Sequence, residues 1–386
     1  MKRGLIGHYE ESIVVGERVH AFVPDPLPPS QEIVLDAKRQ QLLERATMAL
    51  GRLDSITMLL PDPDIFLYSY IRQEAVLSSQ IEGTQSSLSD LLLFELDEAP
   101  GVPFDDVVEV SRYVAALDHG LKRLSKGFPL CNRLLREMHK ILLSHGRGSH
   151  KQPGEFRRSQ NWIGGSRPGN AHFVPPPPQK VEECMSDLER FLHDEEQPYP
   201  TLIKAALAHV QFETIHPFLD GNGRLGRLLI SFILHHDGLL SKPLLYISLY
   251  FKKHRSYYYE LLNRVRKEGE WEIWLDFFLE GVEQTALDAV SKAKALVEII
   301  REDEERISQM GRPANSMLRC LNAFSHRPIS SIKGIAETTG LSYPSVSKAM
   351  EKLEELGIVK EITGKERNRA YGYERFLGVL NDDLQV

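Results

Sequence analysis

Long stretches of helical periodicity, punctuated by short runs of proline and glycine, dominate this chain. From near Ile33 to about Lys151, apolar residues recur at three- and four-residue spacing and predict a succession of amphipathic helices. Pro61 and Pro63 predict a break over 55–64, after which a second helix runs from about Ile65 to Ile81 and stops at Gly83. Ser87 to Asp90 opens another helix over Leu91 to Leu96, and further helices are expected over 104–124 and 132–144. Before all of these, Pro24, Pro26, Pro28 and Pro29 make the first thirty residues read as an extended arm laid over the body.

The period changes at 154–178. Phe156, Trp162, Ile163, Phe173 and Val174 flank a turn over Gly164–Asn170, which predicts a β-hairpin. Pro175 to Pro178 read as a stiff spacer that sets the entry of the next helix. Helical patterns return over 181–193, 200–215, 256–268 and 271–306. From Asn315 the chain predicts a short helix at 332–339, a tight turn at Gly340–Ser342, a second helix at 344–356 and short strands at 359–362 and 370–373. Helix-turn-helix followed by a basic hairpin predicts a winged helix. The expected organisation is mainly α: an arm and helices over 1–112, a helical core over 113–285, a connecting helix over 286–311 and a winged helix-turn-helix unit over 312–386.

Composition narrows the class. The 386 residues, 42% hydrophobic and 26% charged, fit a globular protein of two or three units. A net charge of −7 argues against global attraction to nucleic acid. Residues 312–380 depart from it: eleven Lys/Arg against seven Asp/Glu give +4 there, leaving −11 for the rest. Lys348, Lys365, Arg367 and Arg369 are therefore the candidate DNA contacts, with a protein-binding role for the same unit equally open because Glu351, Glu354 and Glu355 would repel phosphate. Cys131, Cys184 and Cys320 lack metal-ligand spacing and read as small core residues. No signal peptide or membrane-spanning run is legible, so a cytoplasmic protein is expected.

The chemistry concentrates in His216-Pro217-Phe218-Leu219-Asp220-Gly221-Asn222-Gly223-Arg224-Leu225-Gly226-Arg227. Pro217 ends one helix and another opens near Arg224. Gly221 and Gly223 let the backbone approach an anion, and the second helix offers free N–H groups and the positive end of its dipole. Arg224 and Arg227, three apart, share a face and can clamp successive phosphates. Asp220 is a hard oxygen ligand suited to Mg2+, and His216 a base that titrates near neutrality. A nucleotide enzyme is expected.

This string resembles the signature of the Fic family, His-x-Phe-x-Asp/Glu-Gly-Asn-Gly-Arg-x-x-Arg, at every specified position. The resemblance implies transfer of AMP from ATP to a Ser, Thr or Tyr hydroxyl of a target protein. It assigns His216 as general base, Asp220 as Mg2+ ligand, and Gly221 to Arg227 as the nucleotide-binding element; Gly223 favours AMP transfer over phosphorylation. It also implies that the 154–178 hairpin is a flap that holds the target segment by strand addition, and that Tyr259 touches the nucleotide, although a core tyrosine cluster fits Tyr257 to Tyr259 as well. Upstream, Ser78-Ser79-Gln80-Ile81-Glu82-Gly83 resembles the inhibitory pattern Ser/Thr-x-x-x-Glu-Gly/Asn of the class whose inhibitory helix is N-terminal. Ser78, Glu82 and Gly83 would then place a carboxylate on Arg227, and related enzymes use the same glutamate to activate water and remove AMP. A rival reading is a DNA-binding regulator whose helical domain senses ATP. No membrane partner is expected, and a second copy of the chain is a candidate partner.

Overall fold

The computed structural model describes residues 1–381 apart from 15, 60, 61, 63, 97–100, 195–198, 366 and 367. The chain opens with an antiparallel pair, β1 (Gly7–Val14) and β2 (Glu17–Pro24), in register from Gly7 opposite Pro24 to Val14 opposite Glu17. This corrects the expected extended arm. Tyr9 packs edge-on against Phe22, and Gly16 in the connecting turn has φ 81°.

Helices follow: α1 (Ala37–Leu59), α2 (Asp64–Ile81), α3 (Leu88–Phe94), α4 (Phe104–Leu124), α5 (Asn132–Leu142), α6 (Pro178–Leu192), α7 (Thr201–Ile215), α8 (Asn222–His236), α9 (Ser248–Lys253), α10 (Arg255–Glu268) and α11 (Trp271–Ser308). Helix α7 is buried on every side from Ala205 to Ile215, as its Ala- and Leu-rich sequence requires of a central helix. It packs on α6, α8, α10 and α11, so a turn at its end is held by the core itself. Helix α11 extends from that core to the last unit of the chain, where α12 (Ala314–His326) and α15 (Glu374–Asn381) pack on it.

In that unit β3 (Ile329–Ser331) is followed by α13 (Ile332–Thr339), α14 (Tyr343–Glu355), β4 (Lys360–Glu361) and β5 (Ala370–Gly372), with β5 central and antiparallel to both other strands. Ser331 and Ser342 cap α13 and α14 by accepting the amides of Gly334 and Ser345. Lys348, Lys365 and Arg369 are exposed, and Arg367 lies outside the described residues. Helix α2 is shared between the two parts of the molecule: it packs on α4, α8 and α9 on one side and on α12 on the other, and Gln73 Nε2 donates to Leu380 O at 3.1 Å.

The 154–178 segment is less regular than the expected two-stranded hairpin. Only Ile163 and Phe173 pair across it, around a 3-10 turn at Pro168–Asn170. Gly164 and Gly165, at φ 69° and 72°, and Pro168 take the backbone out of a ladder geometry. The N-terminal strands compensate. Phe22 N–H donates to Val174 O at 2.9 Å, and Glu17 accepts from Arg167 Nη1 at 2.8 Å and Gly169 N at 2.7 Å, which pins the tip. No helix among the described residues is long and apolar enough to cross a membrane.

Candidate active site

The turn between α7 and α8 is built from both ends. His216 closes α7 in a left-handed conformation, φ 48° and ψ 59°, and this swings its imidazole out of the helix line. Arg157 fixes that strained corner: its Nε donates to His216 O at 2.9 Å, and its own amide donates to Pro217 O at 2.9 Å. Asn222 then ties the turn across its width, accepting from Phe218 N and donating to Phe218 O, both at 2.9 Å. Underneath, His139 stacks on Phe218 with ring centroids 3.7 Å apart. The His139 ring accepts Gly154 N–H on Nδ1 at 2.8 Å, so its Nε2–H donates to Asp220 O at 3.0 Å. Burial pushes His139 down to about 4, which keeps that tautomer neutral.

Gly221, at φ 76°, starts α8, and no side chain caps it. The first-turn amides therefore remain available to an anion. Asp220 stands beside them with a third of its side chain exposed, one carboxylate oxygen accepting Gly221 N at 2.6 Å. Arg224 and Arg227 share a face of α8 as expected, yet both are buried and already paired. Arg224 Nη1 lies 2.7 Å from Glu109 Oε1 on α4, an ion pair with no local sign in the sequence. Arg227 donates to Ser78 Oγ at 2.8 Å, Ser78 O at 2.9 Å and Glu82 Oε1 at 2.7 Å. The expected inhibitory residues thus converge on the last arginine of the signature. Burial would raise the Glu82 carboxyl, but the charge and hydrogen bond of Arg227, aided by Arg224, hold it below the usual carboxylate range. Gly83, at φ 102°, allows the chain to turn immediately after Glu82.

A cleft of about 500 Å3 opens between this turn, the 154–178 segment and α10. His216, Gly223, Arg227 and Glu82 form its floor; Ile163 and Phe173 line one wall, Tyr258 and Tyr259 the other. Tyr259 lines this cleft, 38% exposed, while Tyr258 is buried and its hydroxyl meets His209 Nε2 at 2.9 Å. Leu225 and Gly226 sit differently from the rest of the expected nucleotide-binding element: Leu225 is in the hydrophobic core, and Gly226 faces Glu213 and its carbonyl accepts from His209 Nδ1–H at 2.9 Å. Sequence reading missed Glu109, Arg157, His139 and Glu213. His216 itself is pushed down to about 3, first by burial and then by Arg157 and Arg266, so it is neutral and able to accept a proton.

The chain is similar to known proteins over both segments that build this site. The family described as Fic/DOC family N-terminal matches residues 40–122, and Fic/DOC family matches residues 129–234. The chain is 30% identical over 255 residues to a protein adenylyltransferase Fic of Aedes aegypti, covering 65% of this chain and 47% of that one. It is 29% identical over 295 residues to the protein of that name from Culex quinquefasciatus, covering 73% and 55%. The chain thus spans about half the length of these curated relatives. Among solved structures, a Fic family protein from Desulfovibrio desulfuricans superposes with TM-score 0.58 at 19% identity, over 90% of this chain and 98% of that one. A Fic domain containing signaling protein from Bacteroides thetaiotaomicron gives 0.51 at 20% identity, over 64% and 95%. The two matched segments enclose both Ser78–Gly83 and His216–Arg227, whose side chains meet in one buried contact; the chain belongs to the Fic/DOC family.

Proposed function

We propose that this protein transfers AMP from ATP to a hydroxyl of a target protein and that Glu82 restrains the reaction. The observation that carries the reading is the meeting, in one cleft, of a neutral His216, an uncapped helix N-terminus and a buried arginine. The α8 amides with Gly221 and Gly223 cradle the α- and β-phosphates, Arg224 binds the β-phosphate, and Arg227 is the ligand for the γ-phosphate once Glu82 lets go. His216 takes the proton of the attacking hydroxyl, the oxygen–phosphorus bond forms at the α-phosphate, and pyrophosphate leaves. Tyr259 faces the nucleoside. The target segment lies along 154–178, whose single bridge leaves backbone groups for strand addition. The relatives' name, protein adenylyltransferase, supports this chemistry.

Asp220 fits Mg2+ in the manner of nucleotide sites, where one carboxylate and the substrate's own phosphates share the ion. Its Oδ1 is held at the α8 N-terminus by the Gly221 amide, and a third of the side chain is exposed. When bound, the ion neutralises charge developing on the departing pyrophosphate.

The unit from 312 onward is a winged helix in this reading, with α13 and α14 as the helix-turn-helix pair and β4–β5 as the wing. Exposed Lys348, Lys365 and Arg369 and the local charge of +4 support phosphate contact there. A purely sensory role for the helical core is disfavoured, because binding ATP needs phosphate ligands and no base.

The test is incubation of the protein with α-labelled ATP, Mg2+ and cell lysate, comparing wild type with His216→Ala. Loss of labelled protein by ~10²–10⁴-fold with ATP binding retained is expected of a general base. Equal labelling by both proteins would overturn the assignment.

A further inference from the structure

Glu213 is the buried carboxylate of the cleft that the proposed reaction leaves without a task. It sits on the last turn of α7, three residues before His216, 6% exposed, and lines the same cleft. Its Oε2 lies 3.9 Å from His216 Nδ1, beyond hydrogen-bond range. Its Oε1 has no hydrogen-bond partner, and His216 Nδ1 makes no hydrogen bond of full geometry, the Glu213 backbone carbonyl being the other acceptor that faces the ring. The carboxylate thus stands just out of reach of an unsatisfied Nδ1 in the same helical turn while its Oε1 is turned toward Gly226, an arrangement with a desolvation cost that a small approach of Oε2 would relieve. Space for the carboxylate is provided from α8: a Cβ on Gly226 would stand 2.5 Å from Glu213 Oε1 and displace it. The signature leaves position 226 unspecified, yet in this chain the glycine is what admits Glu213.

The reaction gives this pair a use. A base that accepts a proton on Nε2 becomes an imidazolium, which burial, Arg157 from the foot of the flap and Arg266 from α10 disfavour and which the Glu82 carboxylate favours. The other charged and titratable groups facing the pair are Arg227 on α8, which is paired to Glu82, Glu82 itself, and Tyr258 on α10. Glu213 is the carboxylate that lies alongside Nδ1, the ring nitrogen away from the transferred proton.

We infer that Glu213 is a positioning residue for His216: it closes on Nδ1–H, fixes the tautomer that leaves the Nε2 lone pair toward the target hydroxyl, and supplies the counter-charge when Nε2 takes the proton. This rests on the adenylyl-transfer reading. Protons balance throughout: the hydroxyl proton goes to Nε2, Nδ1–H stays on the ring shared with Glu213, and the Nε2 proton is released after pyrophosphate departs. Burial raises the Glu213 carboxyl to about 7, so its countercharge is complete only above neutrality.

The experiment uses the full chain labelled with 15N-histidine, with the His216 ring signals assigned by their loss in His216→Gln. Wild type is expected to hold the proton on Nδ1 across neutral pH. Glu213→Gln keeps the shape and should increase the Nε2–H share. Gly226→Ala, which keeps the carboxylate and displaces it, should move the same signals in the same direction. On a Glu82→Gly background, Glu213→Gln should lower kcat for labelled-AMP incorporation by ~10–100-fold, leave KM for ATP within about twofold, and remove an inflection near pH 7 from the kcat profile. His216 signals identical in wild type, Glu213→Gln and Gly226→Ala would overturn the inference. Altered signals with no incorporation by any variant would leave the pair standing and refute adenylyl transfer.

Discussion

Arg227 Nη2 and Glu82 Oε1 lie 2.7 Å apart across 145 residues of sequence, and Gly223 sits directly beneath the contact. A Cβ at 223 would overlap Glu82 Oε1 and come within 3.1 Å of Arg227 Nη1. Helix position 223 is not in the left-handed region, so alanine is acceptable to the backbone there and the collision alone decides the outcome. Because Oε1 is the free end of a side chain, Gly223→Ala should push Glu82 off Arg227. The Glu82 carboxyl, now held low by Arg227, should then titrate closer to its ordinary value, as read by carboxyl NMR. An unchanged Glu82 titration in Gly223→Ala would mean that the glycine does not control this contact.

Asp220→Asn keeps an oxygen for the Gly221 amide while removing the charge offered to the metal. Thermal stability should stay close to wild type, and labelled-AMP incorporation should require a higher Mg2+ concentration for half-maximal rate. Incorporation with an unaltered Mg2+ dependence would remove Asp220 from metal binding.

His209 offers a test of the buried polar core against pH. Its Nδ1–H donates to Gly226 O and its Nε2 accepts from Tyr258, so only the neutral ring satisfies both, and burial pushes it down to about 3. Below pH 6.5 the unfolded chain gains a proton there that the folded one refuses, so stability falls as pH drops from 6.5 toward 3, by ~1 kcal/mol per pH unit. Glu74, pushed up to about 7 by burial, acts with the opposite sign between 7 and 4.5. Urea unfolding of wild type and His209→Gln isolates the histidine: the stability gap between them should narrow between pH 7.5 and 5. A constant gap would contradict a neutral, buried His209.

Much of this site could be read from the chain because its parts are contiguous. His216 to Arg227 holds the proposed base, anion site and clamp in twelve residues, and Ser78 to Gly83 is a short segment that the resemblance picks out, so each is legible locally. The partners that hold the site are distant. Glu109 is 115 positions from Arg224, and Arg157 and His139 reach the turn from α5 and the segment after it; no periodicity links such residues. The N-terminal strands were hidden by polar residues on both faces of β1 and by the prolines that follow β2, while Gly164, Gly165 and Pro168 reduced the predicted hairpin to one bridge. Helices such as 104–124 and 332–339 lie where the sequence predicts them, since their apolar stripes are local and the second also carries its own Ser331 cap.

The C-terminal unit should bind duplex DNA through its exposed cations, with an affinity that falls steeply as salt is added. Arg369→Ala should reduce the slope of log K against log salt by about one, the loss of a single phosphate contact. Gel shifts across a salt series measure this. An absence of binding to any duplex at low salt would assign the unit to a protein partner.

The restraint by Glu82 is the centre of the account, and incorporation of α-labelled AMP at saturating ATP and Mg2+ measures it directly. Glu82→Gly should exceed wild type by about 5- to 150-fold, the range of an ordinary coupling between sites. The double change Glu82→Gly with Arg227→Ala should lose that gain, because the released arginine is what directs the γ-phosphate. Equal incorporation by wild type and Glu82→Gly would contradict the account and leave the Glu82–Arg227 pair as a structural contact alone.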